Sequence, residues 1–233
     1  MQFWCHVECN LGFRKDKRFM KRDNIIAPEG YPFIVFSLVI TVFVAFLGGN
    51  CWLIIVFALI TFFIIWFFRN PERYFQNEEK VLISPADGKV IKIENVEVNG
   101  TISGRFKKIS IFMNVFNVHV NRVPYDGKIE AIHYHEGKFF SANLDKASLD
   151  NERNEVMIRT EDGRAIWTVQ IAGLIARRIV CWVSPGTNVR KGERFGLIRF
   201  GSRVDIYLPE DSRILVKLKD KVKAGQTLIG YLS

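Results

Sequence analysis

YPFIVFSLVITVFVAFLGGNCWLIIVFALITFFIIWFF, residues 31–68, contains no Asp, Glu, Lys, Arg or His. Two apolar runs, Pro32–Leu47 and Cys51–Phe68, flank Gly48-Gly49-Asn50, a strong turn signal. Each run comes near the roughly 20 residues that cross a bilayer core. Neither has the polar face that a helix packed on a soluble core would keep. The stretch predicts a tight helical hairpin in a membrane, its backbone polar groups satisfied within each helix. A single tilted helix with a re-entrant end, or a hairpin entering one leaflet without spanning, are the alternatives. Flanking charge sets the orientation. Arg14, Lys15, Lys17, Arg18, Lys21 and Arg22 precede the first run, and Arg69 and Arg73 follow the second. The positive-inside rule places both flanks, and everything after Phe68, on the cytoplasmic side of the inner membrane. A cleaved signal peptide fits poorly, because the first apolar run starts late and no convincing small-x-small site follows it.

Outward from the hairpin the chain divides into a basic segment 1–30, the hairpin 31–68 and a domain 69–233. The net charge is +9, and residues 69–233 hold 27 basic against 20 acidic side chains. A basic domain tethered at an anionic leaflet is drawn onto it, which makes membrane lipid the expected partner. Nucleic acid is the competing partner for such charge and is not expected here. Cys5, Cys9, Cys51 and Cys181 make no disulfide framework and read as reduced thiols. Cys5, His6 and Cys9 faintly resemble a metal cluster, but no second ligand pair accompanies them, so no metal is expected. Met20-Lys-Arg-Asp-Asn reads as an alternative beginning.

The 165 residues after Phe68 suffice for one domain with its own core. Lys89–Val98, Lys108–Val115, Gly127–Tyr134, Glu155–Arg159, Ala165–Ile171, Arg177–Val183 and Asp205–Leu208 are short, β-branched or alternating. Asp87-Gly88, Asp126-Gly127, Asp162-Gly163 and Pro185-Gly186 punctuate them as turns. One short helix is expected over Ala142–Leu149. Val189-Arg-Lys-Gly192-Glu-Arg-Phe-Gly196 echoes Val222-Lys-Ala-Gly225-Gln-Thr-Leu-Ile-Gly230 as strand, glycine turn, strand, a pattern found in lipoyl-type folds and in ordinary β-turns alike. The expected fold is mainly β with a minor α part: a barrel-sandwich-like cytoplasmic domain preceded by the membrane hairpin.

Three stretches carry candidate chemistry. Ser84-Pro-Ala-Asp87-Gly88 puts a carboxylate at a turn entering a strand, although Asp-Gly is also simply a good turn. Asn117-Val-His119-Val-Asn-Arg-Val-Pro124 holds one histidine in an apolar run, where a structural histidine is equally at home. Ile198-Arg-Phe-Gly201-Ser202-Arg-Val-Asp205 contains a Gly-Ser pair, a common turn dipeptide. It also combines an unhindered carbonyl with a nucleophile able to attack it. Asp, His and Ser from separate strands can form a relay in which carboxylate orients imidazole and imidazole activates hydroxyl.

Seven motifs, in order, resemble those of phosphatidylserine decarboxylase proenzymes of the short, membrane-hairpin type. They are Ile26-Ala-Pro-Glu-Gly-Tyr-Pro-Phe33, Phe68-Arg-Asn-Pro-Glu-Arg73, Ser84-Pro-Ala-Asp-Gly88, Asn117–Pro124, Asp145-Lys-Ala-Ser148 with Asn151-Glu-Arg-Asn154, Gln170-Ile-Ala-Gly-Leu-Ile-Ala-Arg-Arg-Ile179 and Phe200-Gly-Ser-Arg203. The resemblance implies self-cleavage between Gly201 and Ser202, with His119, oriented by Asp87, as base. It implies a β chain of residues 1–201 and an α chain of residues 202–233, which remain together as a heterodimer or a higher oligomer. Ser202 would become a covalent pyruvoyl cofactor. A Schiff base with that group would carry decarboxylation of phosphatidylserine to phosphatidylethanolamine, His119 being the natural proton donor.

Two departures from the longer family members stand out. The cut reads Phe-Gly-Ser-Arg rather than Leu-Gly-Ser-Thr, and Arg122 stands where they carry a second histidine. His133 or His135 could supply the missing group, and His135 is also a candidate for lining the lipid site. Arg177 and Arg178 are candidates for the substrate phosphate, but adjacent strand residues face opposite ways, so one at most serves. Three rival readings remain: a membrane-anchored lipoyl-like adaptor without catalysis, a decarboxylase of an ether-linked archaeal phosphatidylserine analogue, and a serine hydrolase lacking the usual Gly-x-Ser-x-Gly elbow.

Overall fold

The computed structural model describes residues 24–74, 80–137, 151–173, 178–199 and 201–233. Two units are distinct, Met1–Glu72 and Arg73–Ser233.

The first unit is the helical hairpin. Helix α1 spans Tyr31–Phe46 and α2 spans Cys51–Phe67, one residue from the expected bounds at most ends. Gly48 supplies the left-handed turn (φ +67°), and Asn50 caps α2 by accepting the Trp52 N–H at 3.2 Å. The helices meet along a thin polar seam. Thr41 and Thr61 hydroxyls lie 3.3 Å apart, and each also donates back along its own helix, to the Ser37 and Phe57 carbonyls. No polar atom of the seam is left to the outside. The outer faces are apolar and open: Phe36, Val39, Phe43, Trp52, Leu59 and Phe62 are all exposed. Pro28–Phe46, counting the preceding 3-10 turn, is long and apolar enough to cross a membrane. At the base, Ala27 N–H donates to Phe68 O and Asn70 N–H to Ile25 O, closing the hairpin by a short antiparallel bridge.

The second unit is mainly β. Its strands are β1 (Val81–Ile83), β2 (Gly88–Val98), β3 (Gly104–Met113), β4 (Val120–Arg122), β5 (Gly127–His135), β6 (Arg153–Arg159) and β7 (Ala165–Ala172). Then come β8 (Ile179–Cys181), β9 (Asn188–Val189), β10 (Arg194–Ile198), β11 (Ser202–Pro209), β12 (Arg213–Ile214), β13 (Lys221–Val222) and β14 (Leu228–Tyr231). An eight-stranded sheet runs β13-β2-β3-β11-β7-β6-β5-β9, and two three-stranded sheets run β4-β10-β8 and β1-β14-β12. Every pairing is antiparallel. Both glycine-turn echoes cross between sheets: β9 and β13 lie at edges of the large sheet, β10 and β14 at the centres of the small ones. The Ala142–Leu149 helix falls outside the described residues.

Alternation along β11 divides the domain. Val204, Ile206 and Leu208 join Ile109, Ile111, Met113, Val156 and Ile158 in the main core between the sheets. Burying each such side chain contributes about 1.5–3 kcal/mol. Tyr207 joins Phe106, Met157, Trp167 and Ile171 in a smaller cluster on the reverse face.

Gly88 shows how tightly β2 enters this arrangement. A Cβ there would lie 2.2 Å from the Phe112 carbonyl oxygen on β3. Gly88→Ala should therefore force the strands apart and lower stability by about 1–3 kcal/mol, read as a fall in the midpoint of urea unfolding in detergent.

Candidate active site

Ser202 opens β11, the strand at the heart of the large sheet. Its ladder partners are Met113 on β3 and Ala172 on β7. It is fully buried, and its hydroxyl oxygen has no hydrogen-bond partner among the described residues. A buried hydroxyl without a partner costs free energy comparable to a lost hydrogen bond, and such atoms collect where chemistry is done. Gly201 precedes it at φ +65°, a conformation strained for any side chain, and the space a Cβ would take is open. The Gly201 carbonyl accepts the Gly173 N–H at 3.1 Å. The bond ahead of the serine is thus both uncrowded and polarised.

His119, also fully buried, stands just before β4. Its Nδ1 lies 3.0 Å from the Asn117 carbonyl. A carbonyl only accepts, so Nδ1 carries the proton and Nε2 is the basic nitrogen. The main-chain oxygen of His119 accepts the Ile198 N–H at 3.3 Å, tying the histidine to the strand that leads to Ser202.

Asp87 stands just before β2. Its carboxylate accepts Arg73 Nη2 at 3.0 and 3.3 Å and the Ala224 N–H at 2.8 Å. Arg73 is held in turn by Gln226. The group at His119 Nδ1 is the Asn117 carbonyl, while Asp87 fastens residues 73 and 224 together.

The remaining candidates separate from Ser202. His133 stacks on Trp167, with ring centroids 6.1 Å apart, and His135 Nε2 lies 3.3 Å from Glu155. The ladder carries His135 across to Arg153, Ile171 and Arg203, the reverse face of the sheet. Both histidines lie on the face away from Ser202. Arg122 itself donates to the Gly192 carbonyl at 2.7 Å, and alternation along β4 sends it to the side opposite Asn121. Arg203, the second departure, also points away from Ser202. It pairs with Asp205 at 2.8 and 3.0 Å, and Lys108 stands 3.5 Å from the same carboxylate. Burial, and then the Asp205 charge, push the neighbouring Tyr207 phenol above its ordinary range. Arg178 is exposed; Arg177, Cys5, His6, Cys9 and Met20 lie outside the described residues.

Several residues beside Ser202 were not singled out in the sequence. Asn151 Nδ2 donates to the Ala172 carbonyl at 2.7 Å. Glu152, buried, accepts from Tyr134 Oη at 2.9 Å and from the Ile179 N–H at 3.2 Å. Asn121, Gln170 and Asn154 are buried amides on three different strands. Their signal was a polar side chain inside an apolar strand.

Comparison with known proteins bears on this geometry. The family model for phosphatidylserine decarboxylase matches residues 60–230. The chain belongs to the phosphatidylserine decarboxylase family. A phosphatidylserine decarboxylase proenzyme of Syntrophus aciditrophicus is 53% identical over 211 residues, covering 91% of this chain and 99% of that one. Its counterpart in Desulfotalea psychrophila is 49% identical over 208 residues, covering 89% and 96%. That of Geobacter metallireducens is 46% identical, covering 91% and 100%. Membership in a family of decarboxylases sets aside the non-catalytic adaptor reading.

The ion pair at Asp87 can be tested by itself. Arg73→Met leaves a buried carboxylate with one donor, and should cost about 3–5 kcal/mol in urea unfolding. Adding Asp87→Leu should recover most of that loss.

Proposed function

We propose that the chain is a self-processing, pyruvoyl-dependent decarboxylase converting phosphatidylserine to phosphatidylethanolamine and carbon dioxide. The observation that carries the reading is the buried Ser202 hydroxyl, without a partner among the described residues, following a Gly201 carbonyl already held by the Gly173 N–H. That arrangement suits attack on the preceding peptide bond, a reaction for which an ordinary buried serine has no such provision.

In this reading His119 Nε2 takes the Ser202 proton, its Nδ1–H kept in place by the Asn117 carbonyl. The Ser202 oxygen bonds to the Gly201 carbonyl carbon, and the Gly173 N–H stabilises the oxyanion. Collapse breaks the C–N bond, leaving an ester and a free amine on residue 202. Loss of the α-proton expels Gly201 as a carboxylate and leaves dehydroalanine. Water then replaces the nitrogen, releasing ammonia and leaving a ketone at the head of residues 202–233. Residues 1–201 and 202–233 stay together as the β and α chains.

A closed, fully buried position at the end of β11 fits such a group. The pyruvoyl group supplies an electron sink for the charge left as carbon dioxide departs. His119 then stands as proton donor to the product carbon. Asp87 keeps its place in the machinery by fixing Ala224, in the prospective small chain, to Arg73. Arg178 and Arg177 remain proposed partners of the substrate phosphate. The apolar hairpin and basic flanks support seating in the inner membrane with residues 69–233 on the cytoplasmic side.

Intact-mass measurement beside Ser202→Ala tests the reading. The parent should split after Gly201, its small chain lighter by one ammonia than a free serine terminus, and the alanine variant should stay whole. A folded, membrane-bound parent that remains one chain would falsify self-processing. Vesicles of ester-linked and ether-linked phosphatidylserine, with carbon dioxide release as readout, separate the two candidate lipids. Gly173→Pro, which deletes the N–H facing the Gly201 carbonyl, should slow the cut by about 10²–10³, measured as a mass time course.

A further inference from the structure

Strand β10 belongs to a three-stranded sheet and β11 to the eight-stranded one. The chain therefore changes sheet between Ile198, the end of β10, and Ser202, the start of β11. Under the function proposed above, on which this inference rests, the cut opens that passage. β10 then ends shortly after Ile198, and β11 begins at its own terminus. Chain ends fray unless something ties them down. His119 depends on one of these ends, through its carbonyl bond to the Ile198 N–H, and Ser202 is the other.

A chain of buried side-chain amides crosses the same gap. Asn154 Nδ2 on β6 donates to Gln170 Oε1 on β7 at 2.9 Å. Gln170 Nε2 donates to Asn121 Oδ1 on β4, also at 2.9 Å. Asn121 Nδ2 donates to Met113 Sδ on β3 at 3.8 Å. The relay leaves the large sheet at Gln170, reaches the small sheet at Asn121, and returns at Met113, the ladder partner of Ser202. β10 is shaped to admit it. Gly196, the ladder partner of Asn121, has no side chain where a Cβ would lie 2.8 Å from Gln170 Nε2. Displacing any of these amides orphans buried polar groups, which is costly away from water. The relay therefore holds the two sheets at one spacing, two residues from His119.

We propose that Asn154, Gln170 and Asn121 form an inter-sheet clamp whose task begins after the cut, keeping the His119 strand against the Ser202 end of β11. Gln170, the middle member, is a positioning residue: it acts through Asn121 and touches no reacting atom. Before the cut the continuous chain does the same work. Loss of the clamp should thus impair turnover by the processed enzyme far more than it impairs processing.

Gln170→Met keeps length and volume while removing both hydrogen bonds. Full-length parent and variant are followed by intact mass for the cut, and by carbon dioxide release from phosphatidylserine vesicles for turnover per cut molecule. The expected result is cutting within about twofold of the parent and turnover lowered about tenfold, the scale of one or two lost hydrogen bonds. Gln170→Glu supplies the second arm. As the neutral acid it can accept from Asn154 and donate to Asn121; as the anion it cannot donate. Its turnover relative to the parent should therefore rise as the pH falls, which a packing role alone would not produce. This arm also carries the test if the methionine variant does not fold. Equal losses of cutting and turnover, parent-like behaviour in both, or a glutamate-to-parent ratio flat with pH would each overturn the clamp. A parent that neither cuts nor releases carbon dioxide overturns the proposed function instead.

Discussion

The register of β11 between β3 and β7 governs what the rest of the domain can do. Side chains along a strand alternate between faces, so a slip of one residue would exchange the two sets. Ser202 would move to the reverse face, and the Arg203–Asp205 ion pair would enter an apolar core, parted from Lys108. Charges cannot be buried that way at any tolerable cost. The ion pairs of Arg203, Asp205 and Lys108 thus help fix the register from behind, while Val204, Ile206 and Leu208 fix it from the front. Arg203, directly after the serine, is engaged in these ion pairs on the reverse face.

Much of this architecture was legible in the sequence, for reasons that can be named. Absence of charge over 38 residues and a Gly-Gly-Asn break located both helices and their turn, because lipid tolerates neither a charge nor an open backbone. Alternation located seven of the strands, with ends off by a few residues; β3 starts four residues early, at Gly104, and β11 takes in Ser202 itself. Outside the glycine-turn echoes the short strands β1, β4 and β12 escaped, since two or three residues carry no period.

The candidate site was legible in its residue types and less so in their pairings. Asp87, His119 and Ser202 were visible as the chemically able members of otherwise structural runs. The partner of Asp87 was not, because Arg73 lies in a stretch without pattern and the Ala224 N–H has no side chain to announce it. The donor at Gly201 and the acceptor at His119 are likewise main-chain groups, the Gly173 N–H and the Asn117 carbonyl, invisible to any reading of residue type. His135 could have been assigned by parity: it lies two places from His133, and both share the face of Trp167 rather than that of Ser202.

The path of residues 202–233 has one more consequence. Strand β11 sits inside the large sheet with a neighbour on each side, β13 edges the same sheet, and β12 and β14 belong to another. A fragment so interwoven is not a ligand resting on a surface. To leave, it would have to unzip three ladders of the largest sheet and strip the centre from a second, which amounts to unfolding the domain. Its loss would be limited by unfolding of the domain, so dilution would part the halves only as fast as the domain unfolds. Two chains joined across a small surface exchange quickly; these would behave, kinetically, as one molecule with a nick in it.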